Sequence, residues 1–180
     1  MRAFVGLPVP EAWHAPLVRA QGAVPVGRRV DPEDMHVTLA FLGDAGEAAL
    51  EELSEGLSGR RLRAAPLRPA GYAAFGPGAP RNVALELVPD PALTALRDAV
   101  RGAARAAGME LPRERFRPHV TILRIGRREA DRADALPGAL AALGMPAMGA
   151  ETATAAVLWA STLTPEGPIY EPLESWPLPG

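Results

Sequence analysis

Residues 36–43 read His-Val-Thr-Leu-Ala-Phe-Leu-Gly, and residues 119–126 read His-Val-Thr-Ile-Leu-Arg-Ile-Gly. Four of the eight positions are identical, and two more exchange Leu for Ile. The chain contains only three histidines in 180 residues, yet two of them open these octets. We therefore interpret the octets as an internal repeat that places the same short element in each half of the chain.

Each octet predicts a β-strand with one polar and one apolar face. Because side chains alternate between the two faces of a strand, His36 and Thr38 share one face, and His119 and Thr121 do the same. The apolar residues between them point to the opposite face, toward the core. Two such strands beside one cleft would bring two imidazoles and two hydroxyls into one small volume.

The segments around the octets predict an α+β fold with antiparallel sheet. Apolar runs predict strands, and apolar spacings of three and four predict helices. These elements alternate irregularly and include hairpins, which favours antiparallel over doubly wound parallel sheet. No linker-like composition divides the chain, so we expect one domain spanning residues 1–180. The predicted strands are 3–7, 35–42, 67–75, 82–88, 118–125, 152–161 and 169–176, and the predicted helices are 11–21, 45–57, 91–107 and 128–143.

Two amino acids are missing from the chain, and each absence excludes classes of chemistry. There is no Cys, which excludes disulfides, thiolate metal sites and a cysteine nucleophile. All 19 basic residues are Arg, so a lysine-dependent phosphate loop, a Schiff base and a nucleotidyl-lysine intermediate are excluded. The net charge of −2 provides no overall attraction to a polyanion.

The paired imidazoles and hydroxyls suit phosphodiester chemistry. A neutral histidine can accept a proton from water while a protonated one donates a proton to a departing alkoxide. Threonine hydroxyls can hydrogen-bond the non-bridging phosphate oxygens. Two histidines without metal-ligand spacing supply too few ligands for a metal, so no metal and no cofactor are expected. The alternatives are a pair of hydrogen-bonded core histidines and threonines that act only as strand formers.

The same motifs resemble a known group of enzymes. The two His-x-Thr motifs, at 36–38 and 119–121, are similar to those of the two-histidine phosphoesterase superfamily. Within it they most resemble the RNA 2′,3′-cyclic phosphodiesterases, also called 2′-5′ RNA ligases. The likeness covers nearly the whole chain, and the segments that carry it are residues 2–8, 35–43, 116–124, 158–161 and 169–173.

The resemblance implies a bilobal fold in which two antiparallel sheets with pseudo-twofold symmetry surround a central cleft and the helices lie outside. It implies hydrolysis of an RNA 2′,3′-cyclic phosphate to a 2′-phosphate, with His36 as proton donor and His119 as proton acceptor. It also implies a reversible, ATP-independent 2′-5′ ligation. Arg124 matches a basic residue that often follows the second motif as a substrate contact. Plain alternation puts Arg124 on the opposite face of the strand, unless a bulge turns it inward.

Two aromatic residues and the expected partners complete the prediction. Phe41 and Tyr170 are candidates for stacking on a terminal base, with core packing as the alternative. The expected substrate is an RNA end with a 2′,3′-cyclic phosphate, and tRNA halves are one candidate source. The alternatives are a non-catalytic nucleotide- or RNA-binding protein that uses the same cleft, and a phosphodiesterase for small cyclic phosphates or 2′,5′-oligonucleotides. No signal peptide or span of about 20 apolar residues is present, which predicts a cytoplasmic protein without membrane contact. We also expect a monomer.

Overall fold

The computed structural model of the protein describes residues 1–180. It contains ten strands and four α-helices, with short 3₁₀ segments at Glu11–Trp13, Pro32–Asp34 and Arg127–Ala135. The strands are β1 (Arg2–Pro8), β2 (Arg28–Arg29), β3 (His36–Asp44), β4 (Ala65–Leu67), β5 (Pro69–Phe75), β6 (Asn82–Leu87), β7 (His119–Arg124), β8 (Glu151–Ala153), β9 (Ala155–Thr164) and β10 (Gly167–Pro177), and the helices are α1 (His14–Ala23), α2 (Glu47–Ser58), α3 (Pro91–Ala106) and α4 (Leu136–Leu143).

The strands form a large antiparallel sheet in the order β10-β9-β1-β3-β7-β6-β5, with β2 paired to β7. Its two halves meet between β3 and β7, where the ladder consists of one pair, Val37 and Val120. These valines occupy the same position in the two octets, so an approximate two-fold axis passes through their pairing. The predicted α+β class with antiparallel sheet is confirmed, and the two predicted sheets are joined at this one pair.

The helices cover the apolar face of the large sheet. α1 contacts β7 and α3 contacts β3. One cluster of 40 buried apolar residues fills the space between the layers, including leucines of α2 and α3 at helical spacing. The opposite face of β3 and β7 therefore remains available for the polar residues of the octets. None of the helices combines the length and the apolar content that crossing a bilayer requires.

The central position of β1 depends on a glycine. A Cβ at Gly6 would lie 2.7 Å from the backbone oxygen of Val37 and 3.4 Å from Cδ2 of His36. The first distance is shorter than real carbon–oxygen contacts, so any other residue would push β3 away from β1. The close approach places the ring of Phe4 against that of His36.

Several predicted element boundaries are wrong. The strand predicted at 67–75 is two strands separated by Arg68, and the one predicted at 152–161 is interrupted at Thr154. The outer pieces, β4 and β8, pair with each other in a separate two-stranded sheet. The apolar pattern continues across both breaks, so periodicity could not reveal the change of sheet. The predicted helix at 128–143 begins as a 3₁₀ segment with no buried residue, and only its second half is α-helical.

Candidate active site

The two octets meet at a cavity of about 480 Å³. Its wall contains both histidines and both threonines of the repeat, His36, Thr38, His119 and Thr121. The volume lies within the usual range for a small-molecule site. The other lining residues are Arg2, Ala3, Phe4, Val30, Asp34, Phe41, Gly43, Asn82, Arg124, Ser161, Leu163, Pro168 and Tyr170.

Each octet contains a β-bulge at the same position. In β3, Thr38 and Ala40 pair with consecutive residues of β1, so Leu39 has no partner. In β7, Thr121 and Leu123 pair with consecutive residues of β6, so Ile122 has no partner. Both bulged residues lie three positions after a histidine. An extra residue reverses the alternation that follows it. Phe41 and Arg124, five positions after the histidines, therefore return to the face of the imidazoles, and both line the cavity.

A buried glutamine holds the second bulge. Gln21 of α1 is 2% exposed, and its Nε2 donates hydrogen bonds of 2.7 Å to the backbone oxygens of Val30 and Ile122. The backbone N–H of Val30 donates a further bond of 3.0 Å to the Ile122 oxygen. The backbone oxygen of Ile122, the bulged residue, thus accepts two hydrogen bonds. Sequence reasoning assigned no role to Gln21, because a lone polar residue on an amphipathic helix is typical of an exposed position.

The two imidazoles are oriented in the same way. Nδ1 of His36 lies 2.7 Å from the backbone oxygen of Asp34, and Nδ1 of His119 lies 2.6 Å from that of Arg117. A carbonyl only accepts hydrogen bonds, so Nδ1 carries the proton in both rings. Nε2 of each ring is then available to accept a proton when the ring is neutral and to donate one when it is charged.

His36 lies in an aromatic pocket. Its ring stacks on Phe4 at a centroid distance of 4.6 Å and meets Trp159 and Tyr170, each at 5.5 Å. Burial lowers the pKa of His36 from its ordinary value of 6.5 to about 4, against the opposing effect of the hydrogen bond to Asp34. The positive charge of Arg124, and a proton on His119 when it is present, lower it further. His36 is therefore neutral at neutral pH when the cavity holds no anion.

His119 lies in a more polar setting. Its ring stacks on Phe75 at 4.8 Å, and the guanidinium of Arg117 lies 4.4 Å from the centroid of the same phenyl ring. Arg117 also forms an ion pair of 2.8 Å with Glu86, whose backbone is paired with that of His119. Phe75 thus covers one face of the His119 imidazole, and the guanidinium of Arg117 packs on Phe75.

Arg124 and Tyr170 connect the two halves of the sheet across the cavity. Nη2 of Arg124 on β7 donates a hydrogen bond of 2.8 Å to the hydroxyl of Tyr170 on β10. Burial raises the pKa of Tyr170, so the phenol stays protonated and neutral. The Tyr170 ring packs edge-on against Phe4 at 5.0 Å. The Phe41 side chain is 60% exposed at the rim of the cavity.

Some lining residues were missed by sequence reasoning. Phe4, Asp34 and Leu163 belong to no repeated motif. Strand pairing brings Phe4 and Leu163 to the cavity, and Asp34 reaches it from the 3₁₀ segment before β3. Asn82 is the most informative of them, because its Oδ1 is buried and has no hydrogen-bond partner within the protein. A lone Asn after a turn carries no sequence signal for this position. No group of three or more His, Asp or Glu side chains is arranged to hold a metal ion.

Residues 8–157 match the family model of the 2′-5′ RNA ligase superfamily. The chain is 30% identical to an RNA 2′,3′-cyclic phosphodiesterase of Archaeoglobus fulgidus over 96% of this chain and 98% of the relative. It is 33% identical to a protein of the same name from Thermus thermophilus, over 100% of this chain and 91% of the relative. A crystal structure described as a phosphoesterase superposes with a TM-score of 0.79 at 25% identity, covering 99% of both chains.

These matches confirm the family that the paired motifs indicated. They agree with the geometry, in which the two copies of the motif converge on one cavity from the two halves of the sheet. The chain belongs to the 2′-5′ RNA ligase superfamily.

Proposed function

We propose that this protein hydrolyses RNA ends carrying a 2′,3′-cyclic phosphate to 2′-phosphomonoesters, with His36 and His119 as an acid–base pair. The observation that carries the proposal is the matched pair of imidazoles, each held through Nδ1 with Nε2 available, on the wall of one cavity. The name shared by the relatives from Archaeoglobus fulgidus and Thermus thermophilus supports the substrate class.

The reaction is a single displacement at phosphorus. Nε2 of neutral His119 accepts a proton from a water molecule as the water oxygen bonds to phosphorus. The bond from phosphorus to the ribose O3′ breaks, and Nε2–H of protonated His36 donates its proton to O3′. The products are a free 3′-hydroxyl and a 2′-phosphate. When an RNA 5′-hydroxyl takes the place of water, the same displacement at the cyclic phosphate would form a 2′-5′ linkage and release the 3′-hydroxyl, without ATP.

The environment of His36 makes it a strong proton donor. Its pKa of about 4 means that a proton on this ring is readily released to an alkoxide. The bound diester brings a negative charge next to the ring, and this charge favours the protonated form that the step requires. Substrate binding thus favours protonation of His36, the proton donor.

Other side chains of the cavity have roles in holding the substrate. The hydroxyls of Thr38 and Thr121 donate hydrogen bonds to the non-bridging oxygens, and the guanidinium of Arg124 balances their charge. The unpartnered Oδ1 of Asn82 is an acceptor for a ribose hydroxyl. Phe41 at the rim offers an exposed ring on which a terminal base can stack.

The proposal extends to the organisation of the molecule. One continuous core supports a single two-lobed domain over residues 1–180, and we expect the enzyme to be a monomer. The mechanism requires no cofactor. We expect the enzyme to act in the cytoplasm on cleaved RNA, with tRNA halves as one candidate substrate.

The direct test is incubation with an RNA oligonucleotide ending in a 2′,3′-cyclic phosphate, in excess EDTA, followed by identification of the terminal phosphate. We expect a 2′-phosphate only, at the same rate with and without the chelator. A 3′-phosphate product would contradict the assigned direction of opening. Activity lost in EDTA and restored by Zn²⁺ or Mn²⁺ would contradict the imidazole mechanism, and binding without turnover would indicate a non-catalytic RNA-binding protein.

A further inference from the structure

A second, smaller cavity of about 180 Å³ adjoins the first. The two cavities share five lining residues, Val30, Asp34, Arg124, Pro168 and Tyr170. A ligand held between the imidazoles can therefore extend into the second cavity without leaving the protein surface. The residues that line only the second cavity come from β2, from Asp31 after it and from the turn between β9 and β10.

Two arginines face each other beside this cavity. Arg28 on β2 is paired directly with Arg124 on β7. Residues that are directly opposite in an antiparallel ladder share a face of the sheet, and like charges in such a pair are destabilising. None of the four ion pairs in the structure includes either residue. Arg124 donates only to the neutral hydroxyl of Tyr170. The two guanidiniums thus form a site that an anion would stabilise.

A glycine makes room for this arrangement. Gly167 begins β10 with a φ of 126°, in the region that favours glycine. A Cβ at this position would lie 2.8 Å from Cζ of Arg28. Any side chain at residue 167 would displace the guanidinium from the edge of the cavity.

The three carboxylates on the same wall form no ion pair with either arginine. Asp31 accepts a hydrogen bond of 3.0 Å from the backbone N–H of Glu33. Burial and the neighbouring Asp31 raise the pKa of Asp34, whereas the positive charge of Arg124 lowers it. Glu166 is exposed at the hairpin turn. These acids form no cluster able to hold a metal ion. The groups left to recognise a ligand are therefore the two guanidiniums.

We propose that Arg28, beside Arg124, binds the phosphodiester that joins the terminal nucleotide of the substrate to the nucleotide before it. The site would then favour an RNA chain over a cyclic mononucleotide, which has no second phosphate. This inference rests on the function proposed above and assigns a substrate-length preference to Arg28. Guanidinium and phosphate form charge-assisted, two-pronged hydrogen bonds, which makes arginine a suitable residue for this contact.

The test compares two substrates, adenosine 2′,3′-cyclic phosphate and a tetranucleotide that ends in the same group. The quantity measured is the ratio of kcat/KM for the tetranucleotide to kcat/KM for the mononucleotide. We expect Arg28→Gln to lower this ratio by about tenfold, through KM, because a hydrogen bond to a charged group is lost. Arg28→Lys should retain part of the ratio. Added salt should lower the ratio less steeply in Arg28→Gln than in the wild type, because one phosphate contact is missing.

Arg29→Gln is the matched control, with the same charge change one residue along the strand. Arg29 also borders the second cavity, but it is paired with buried Leu123, and its Nη2 lies 3.8 Å from the Cβ position of Gly22 on α1. We expect the ratio of the two kcat/KM values in Arg29→Gln to stay within about twofold of the wild-type ratio. If the ratio of kcat/KM values is unchanged in Arg28→Gln, or falls equally in Arg29→Gln, the proposed phosphate contact of Arg28 is wrong. The proposed function is not affected by that result. A wild type that hydrolyses neither substrate overturns both.

Discussion

Each imidazole in the cavity is oriented by the carbonyl oxygen of the residue two positions before it. The octets identified His36 and His119, because a rare residue repeated in the same context is a strong signal. They could not predict the orientation, since the acceptor is backbone and any side chain is compatible with it. Nor could they predict that Phe4 and Trp159 surround His36, because those contacts depend on which strands are neighbours.

Replacement of either histidine should remove most of the activity. We expect His36→Ala and His119→Ala each to lower kcat by about 10²–10⁴-fold, the usual value of a general acid or base. The double variant should be little worse than either single one, because the two groups act as a unit. His14→Ala is the control, because His14 lies on α1 outside the cavity. Near wild-type turnover in either single variant, with the cyclic-phosphate oligonucleotide, would contradict the mechanism.

The threonines should matter less than the histidines. Thr38→Ala or Thr121→Ala removes one donor to the phosphate oxygens and should lower kcat by about 10²-fold. Thr162→Ala is the matched control, because Thr162 is an exposed strand residue that does not line the cavity. If kinetics in both variants match those of the control, the threonines serve only as strand formers.

The lowered pKa of His36 predicts a dependence of stability on pH. The folded protein binds this proton only near pH 4, whereas the unfolded chain binds it near 6.5. Folding therefore favours the neutral ring. Its contribution to the free energy of unfolding is fully present above pH 6.5 and is lost as the pH falls toward 4. The expected loss is about 3 kcal/mol in the free energy of unfolding. Urea unfolding of the wild type and of His36→Gln at several pH values measures it, and parallel curves would contradict the assigned pKa.

At the scale of single elements, the duplicated bulge has the largest effect on the site. Alternation correctly placed the histidines and threonines on one face, but it failed for Phe41 and Arg124, which follow the bulges. The only trace in the sequence is that apolar residues follow one another without alternation, at 39–42 and at 122–123. Such runs are common in strands, so they do not reveal a bulge on their own.

The hydrogen bonds of Gln21 can be tested at this scale. Gln21→Leu keeps the side chain buried but leaves the backbone oxygen of Val30 without its donor. We expect the free energy of unfolding to fall by about 1–3 kcal/mol. kcat/KM should fall as well, because the bulge that turns Arg124 inward loses its support. Arg19→Leu, an exposed change on the same helix, is the control and should alter neither the free energy of unfolding nor kcat/KM by much. If Gln21→Leu also leaves both quantities unchanged, the bulge does not depend on the hydrogen bonds of Gln21.

At the scale of the whole molecule, the site exists only where the two halves of the sheet meet. One strand pair, Val37 with Val120, brings together motifs that are 83 positions apart in the chain. The repeat made this convergence predictable. The separate β4–β8 sheet and the β2 strand were not predictable, because neither has a distinctive pattern. β2 nevertheless supplies Arg28, so the part of the fold with the weakest sequence signal borders the cavity through which a longer RNA would pass.

The most direct test of the paired-imidazole claim is the pH dependence of kcat/KM for an RNA ending in a 2′,3′-cyclic phosphate. Only the singly protonated pair is active, so the profile should be a bell whose limbs belong to the pair. The acidic limb should lie near pH 4, where His36 takes up its proton in the unliganded enzyme. The rate should fall again at alkaline pH, where the last proton of the pair is lost. Circular dichroism at each pH would verify that the protein remains folded. A rate that rises monotonically with pH would contradict the account, because it would indicate hydroxide or a metal-bound water as the nucleophile.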